Sequence, residues 1–272
     1  MKDKNKKEKE INFNICFLKI LMSICILFFI SSYIFVFNYI FENKQYKREN
    51  ENLFKGKQIV EIKDINVEEN GIFKTGNMLK IEELQKENSD IVGWLEIENT
   101  NINYPVLQTY NNEFYLTHDY KKKYSKNGSI FLDKSVNIDI KSTNFLIYGH
   151  RNTAGLMFED LIKYKKEEYY KKNPIIKFTT SNEESEYEII SVFLSHVYYK
   201  NEKNVFRYYY FINAKNEEEF NEYITGVKKN SIYNIEKTAV YGDQLLTLST
   251  CEYSRKDGRL AIVAKKIKSS QK

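Results

Sequence analysis

The sequence predicts a mainly β domain, closed or sandwich-like, tethered to a membrane by one N-terminal helix. Three observations predict it. Eight short runs rich in β-branched and aromatic residues follow one another from Ile91 onward, bounded by Asn, Asp, Gly and Lys clusters. Residues 20–41, ILMSICILFFISSYIFVFNYIF, carry no charge over 22 positions. The 272 residues are 42% hydrophobic, enough for a real core, yet mean hydropathy is −0.57, which excludes a polytopic membrane protein. With three Cys a disulfide scaffold is excluded. The net charge of +5 is dispersed and does not by itself imply nucleic acid.

The elements follow in order. Residues 1–19 form a charged N-terminus, and 20–41 a spanning helix, since ~20 apolar residues at ~1.5 Å rise cross a bilayer. A cleaved signal peptide is the rival reading. Its apolar run is shorter, about 7–15 residues, and it ends in small residues, whereas this run ends in Phe-Asn-Tyr-Ile-Phe. Lysines flank the span on both sides, so the positive-inside rule does not orient it. Residues 42–76 are polar and weakly periodic and read as a stalk, and 77–272 as the folded domain. A helix is expected from Asn77, as N-cap, to Asn88, with Met78, Ile81 and Leu84 at helical spacing. The eight strand candidates are IVGWLEI, INYPVLQ, GSIFLD, TNFLIYGH, IIKF, YEIISVFLSHVYY, QLLTLSTC and RLAIVAKKI. Two helical insertions interrupt them. One covers 156–171. The other covers 216–229, with Phe220, Tyr223, Ile224 and Val227 on one face, Glu in its first turn and Lys in its last.

Chemistry can rest on few residues. Cys16 and Cys25 lie in or beside the span, so Cys251 has no disulfide partner in the domain. QLLTLSTC ends at Cys251, a polar loop closes at Gly258, and the next run starts at Arg259. Consecutive strands on a short loop pair antiparallel, which makes Cys251 and Arg259 neighbours at one rim. A guanidinium there can lower a thiol pKa or donate to a developing oxyanion. The plain alternatives are a buried small hydrophobe and a solvated strand-end charge. His150 ends TNFLIYGH, a rim position suited to proton transfer. His118 falls in a turn or at a helix end, and His196 within a strand run, packed in or beside the sheet. No HExxH, paired Cys, GxxxxGK[ST] or GxGxxG occurs, so no metal and no phosphate loop is expected.

In combination, the anchor, the β-rich domain, YGH with His150, TLSTC with Cys251 and the strand-initial Arg259 resemble a sortase, over roughly residues 77–267. The TLSTC form, the N-terminal helices, the INYPVLQ segment and the helix-bearing insertion ahead of the Cys strand resemble class B. The resemblance implies an eight-stranded β-barrel with N-terminal helices, a helix inserted before the Cys-bearing strand and one transmembrane helix. It implies a membrane-anchored cysteine transpeptidase of Gram-positive bacteria, its N-terminus cytoplasmic and its domain outside, facing the cell wall. Cys251 would attack after Thr in the C-terminal sorting signal of a secreted protein, NPQTN-like or (S/P)PxTG-like. A peptidoglycan amine would resolve the thioacyl-enzyme. His150 would move the protons, and Arg259 would hold substrate and oxyanion. Asn103 and Leu107 would line the peptide groove, Thr250 and Glu252 would shape the hole and the loop, and Phe206 or Tyr208 would contact substrate. No cofactor is implied.

Two rival classes stay open on residues alone. A non-catalytic, membrane-tethered β-domain that binds cell-wall or protein ligands would bury Cys251 as an inert thiol. A papain-like thiol enzyme places Cys before His, the reverse of the order here.

Overall fold

The computed structural model describes residues 2–55, 67–69, 72–254 and 256–271. The chain divides into two compact units, Met1–Lys57 and Gln58–Lys272.

The first unit is one helix, α1 (Lys2–Lys55). Its stretch from Ile15 to Glu49 is long and apolar enough to cross a membrane. Large side chains such as Phe28 and Phe29 face outward along it, with no protein interior to receive them. Of the predicted stalk, 42–55 continue the helix, and Val67–Glu69 pairs with Ile72–Lys74 as a small antiparallel hairpin. Residues 56–66 and 70–71 lie outside the described residues.

That strand pair belongs to the second unit, which continues with α2 (Gly76–Glu87), burying Met78 and Ile81. Its N-cap is Thr75, not the expected Asn77: the Thr75 hydroxyl accepts from the Met78 amide at 3.4 Å. Asn88 ends the helix in extended conformation, and its buried amide donates to Tyr115 and to the Tyr120 carbonyl.

Eight strands then close a barrel. They are β1 (Ile91–Glu96), β2 (Asn103–Leu107), β3 (Ile130–Leu132), β4 (Asn144–Tyr148), β5 (Ile175–Thr179), β6 (Glu183–His196), β7 (Leu245–Cys251) and β8 (Gly258–Gln271). Each of the eight sequence runs supplies one. The order around the barrel is β6-β8-β7-β4-β3-β2-β1-β5, back to β6. Only β4/β7 and β2/β3 pair in parallel. Closure leaves none of these eight strands with an open edge.

The two predicted insertion helices fare differently. α4 (Glu217–Lys229) matches its prediction: Asn216 caps the Glu219 amide, and Phe220, Tyr223, Ile224 and Val227 are buried. Residues 156–171 do not form one helix. Leu156–Met157 pairs with Arg151–Asn152, a 3-10 helix spans Glu159–Lys165, and α3 (Glu167–Lys172) follows an extended Lys166. The reason is spacing. Phe158, Leu161 and Tyr164 are fully buried at intervals of three, which a 3.0-residue turn aligns and a 3.6-residue turn does not.

Strand alternation gives the sheet two working faces. On β4 and β7, Phe145, Ile147, Leu246 and Leu248 point one way, and Phe145 meets Phe178 across the barrel. The opposite face of β7 carries Leu245, Thr247, Ser249 and Cys251. The segment between β6 and β7 covers it, packing Tyr208, Phe211, Phe220 and Tyr223 against Leu146, Leu245, Ala261 and Val263. Small side chains on this outer row leave room for phenols. Tyr208 bonds Ser249 at 2.7 Å, and Tyr223 bonds Thr247 at 3.4 Å. Cys251 ends the row where this cover stops.

Candidate active site

Antiparallel register places Cys251 directly opposite Arg259 on the outer face. His150 comes from the other side, two residues beyond the end of the parallel neighbour β4, whose Tyr148 pairs with Ser249. The three predicted chemical residues, His150, Cys251 and Arg259, thus meet at one rim through two adjacent strand pairings, although 109 positions separate the first from the last.

His150 is fixed from several directions. Its Nε2 lies 2.7 Å from the Leu116 carbonyl, which can only accept, so Nε2 carries a proton and Nδ1 is left for proton exchange. The Phe158 amide donates to the His150 carbonyl at 2.9 Å. Next to it, Gly149 donates to Ser249 at 3.2 Å and accepts from the Thr250 hydroxyl at 2.8 Å. Thr250 therefore staples the Cys251 strand to the His150 loop. Gly149 has no room for a side chain, because a Cβ would collide with Ile130 and sit 2.7 Å from the Phe158 ring. Gly149→Ala should cost about 1–3 kcal/mol through overpacking. It should also displace His150, and slow modification of Cys251 by a methanethiosulfonate at neutral pH several-fold.

The electrostatics favour a charged pair. The Cys251 thiol is held below its ordinary value, first by its hydrogen bond with His150. Burial opposes this, and the Arg259 charge reinforces it. His150 is pushed above its ordinary value, first by the same bond to Cys251. The Leu116 carbonyl adds to the rise, while burial and Arg259 oppose it. The Arg259 guanidinium rests on the Gly258 carbonyl at 2.9 Å. Cys251 and His150 are both half-buried, so the thiol is neither an interior hydrophobe nor a fully solvated group.

All three residues open on a cavity of about 420 Å³. Tyr208, Thr250 and Ser249 also line it, with Tyr208 buried and pushed up to about 12 by that burial. The remaining predicted contacts do not line it. Leu107 is fully buried on β2, and Asn103 accepts from the Trp94 indole at 2.5 Å. Phe206 packs on Phe193, Tyr223 and Gly226. Glu252 is buried, accepting from Lys165 at 3.0 Å and from the Ser254 amide at 3.0 Å, and so braces the loop after Cys251 from behind. His118 stacks on Phe114 outside the cavity, and His196 packs on Tyr198 at the end of β6, as its run suggested.

The sequence reading missed Asn112, Leu116, Tyr148, Val197 and Tyr209, which all line the cavity. Period-two spacing from His150 and Cys251 would have found Tyr148 and Ser249. Asn112 and Leu116 carry no local signal. They reach the rim through the irregular segment around the 3-10 turn Phe114–Leu116.

Comparison with known proteins agrees with this geometry. The Sortase domain model matches residues 95–267. Sortase B of Staphylococcus aureus is 32% identical over 193 residues, 70% of this chain and 76% of the relative. Sortase B of Listeria monocytogenes is 34% identical over 188 residues, 68% of this chain and 73% of the relative. The solved Staphylococcus aureus sortase B-substrate complex superposes with a TM-score of 0.70 at 28% identity, covering 84% of this chain and 99% of that one. With the eight-stranded barrel and the cysteine at its rim, these matches show that the chain belongs to the sortase family, as a cysteine transpeptidase of the sortase B class.

Proposed function

We propose that this sortase cleaves the C-terminal sorting signal of secreted proteins after Thr and transfers the acyl group to a peptidoglycan amine. The observation that carries the proposal is the convergence of Cys251, His150 and Arg259 at the mouth of one cavity, with Arg259 directly across the ladder from Cys251. Cys251 attacks the Thr carbonyl, and Arg259 stabilises the oxyanion. His150 gives a proton to the leaving amine, and the thioacyl-enzyme forms as the C-terminal remnant departs. The incoming amine then loses its proton to His150 and takes the acyl group, which frees the thiolate. Thr250 holds the two strand ends in register for this exchange. The α1 helix anchors the enzyme with its N-terminus cytoplasmic and its catalytic unit facing the wall, where both substrates lie.

The test uses the full chain in detergent micelles with NPQTN-type and (S/P)PxTG-type peptides. The expected result is a mass increase on Cys251 equal to the peptide acylated through its Thr, discharged by added amine. Absence of any such adduct across both peptide types would sink the proposal.

A further inference from the structure

Beside the catalytic cavity lies a second hollow of about 380 Å³. The two share Asn112, Tyr148 and Tyr209, so they are immediate neighbours. The hollow adds Asp133, Ser135, Tyr210 and Ile212. Its walls are pre-set. The buried Asp133 carboxylate accepts from the Asn112 amide at 2.8 Å, from the Tyr148 hydroxyl at 3.1 Å and from the Ser135 amide at 2.8 Å. Among the described residues, no Lys, Arg or His side chain lines it, so Asp133 is its one formal charge.

The position of the hollow relative to the chemistry says what reaches it. β4 and β7 run parallel, and their outer rows read Leu146–Tyr148–His150 and Thr247–Ser249–Cys251. The hollow adjoins Tyr148, one step back along β4 from His150. In the reaction proposed above, the leaving amine must lie at the proton donor, His150. Away from His150 and toward the hollow, the cavity offers the acyl segment held by Cys251 a path past Tyr148 and Tyr209. An extended chain advances ~3.3 Å per residue, so residues ahead of the motif continue from the cavity into the hollow. Tyr rings and Ile212 suit an aliphatic stem there, and the carboxylate suits a cationic head.

We infer that this hollow is a subsite for the one or two residues immediately preceding the sorting motif, and that it favours a basic side chain over an acidic one. The inference rests on the function proposed above. Its test compares, for the full chain in micelles, a core sorting peptide with the same peptide extended at its N-terminus by Ala-Lys, Ala-Ala or Ala-Glu. The Lys extension should exceed the Glu extension about 5–10-fold in kcat/KM, through KM. Tyr210→Ala should compress that ratio toward one, and Ser135→Lys, at an exposed loop position, should invert it. Neither should alter cleavage of the core peptide. A cleaved core peptide with equal rates for all extensions, or an unchanged order in Ser135→Lys, overturns the subsite alone. An uncleaved core peptide overturns the proposed reaction and the subsite with it.

Discussion

Cys251→Ser should lose at least about 10³-fold in kcat for peptide cleavage, although the new oxygen would stand almost where the sulfur stood. The site is tuned to a thiolate. Its hydrogen bond with His150 and the charge of Arg259 together hold the Cys251 thiol below its ordinary value. A hydroxyl is far less acidic, so the same surroundings leave it protonated and a poor nucleophile. Burial of the neighbouring row is untouched, so thermal unfolding should barely move. Single-turnover mass spectrometry is the check. Covalent peptide on the Ser variant at a wild-type rate would mean that bond cleavage does not depend on the sulfur.

Arg259→Met should lower kcat/KM at the pH optimum about 10²–10³-fold, the loss expected when a main oxyanion donor is removed. A second signature separates this from simple disruption. The Arg259 charge lowers both partners: it favours the Cys251 thiolate and disfavours the His150 imidazolium. Without it both groups titrate at higher pH. The reactive form carries a thiolate and an imidazolium, so the two limbs of the rate profile bracket the titrations of this pair. Both limbs should therefore move to the alkaline side, as apparent values belonging to the pair. Arg259→Lys keeps the charge without the fork, so it should restore the profile but not the full rate. A variant whose profile stays in place, or whose limbs move in opposite directions, would remove the electrostatic account of Arg259.

The barrel was legible because its strands are short, β-branched and punctuated, and each run became one strand. The Cys251–Arg259 pair was legible too, since a short loop between two strands fixes their register. Which His joins them was open on spacing, because the β4/β7 pairing that delivers His150 is parallel and joins segments about a hundred residues apart. The single helix expected over 156–171 did not form, because burial of Phe158, Leu161 and Tyr164 at intervals of three selected the tighter turn. Asn103 and Leu107 lie on a strand whose side chains serve Trp94 and the core. The groove wall comes instead from Asn112 and Leu116, in irregular chain that no periodicity marks.

The nucleophile stands on the outside of the barrel, at the end of a row roofed by the segment between β6 and β7. The buried Tyr208, Phe211, Phe220 and Tyr223 of that roof belong to the fold's own packing, whereas Tyr210 at its rim is exposed, so a change at the rim leaves both the roof and the inner row of Phe145, Ile147, Leu246 and Leu248 standing. The trade-off that usually penalises a new specificity with a weaker fold is correspondingly relaxed.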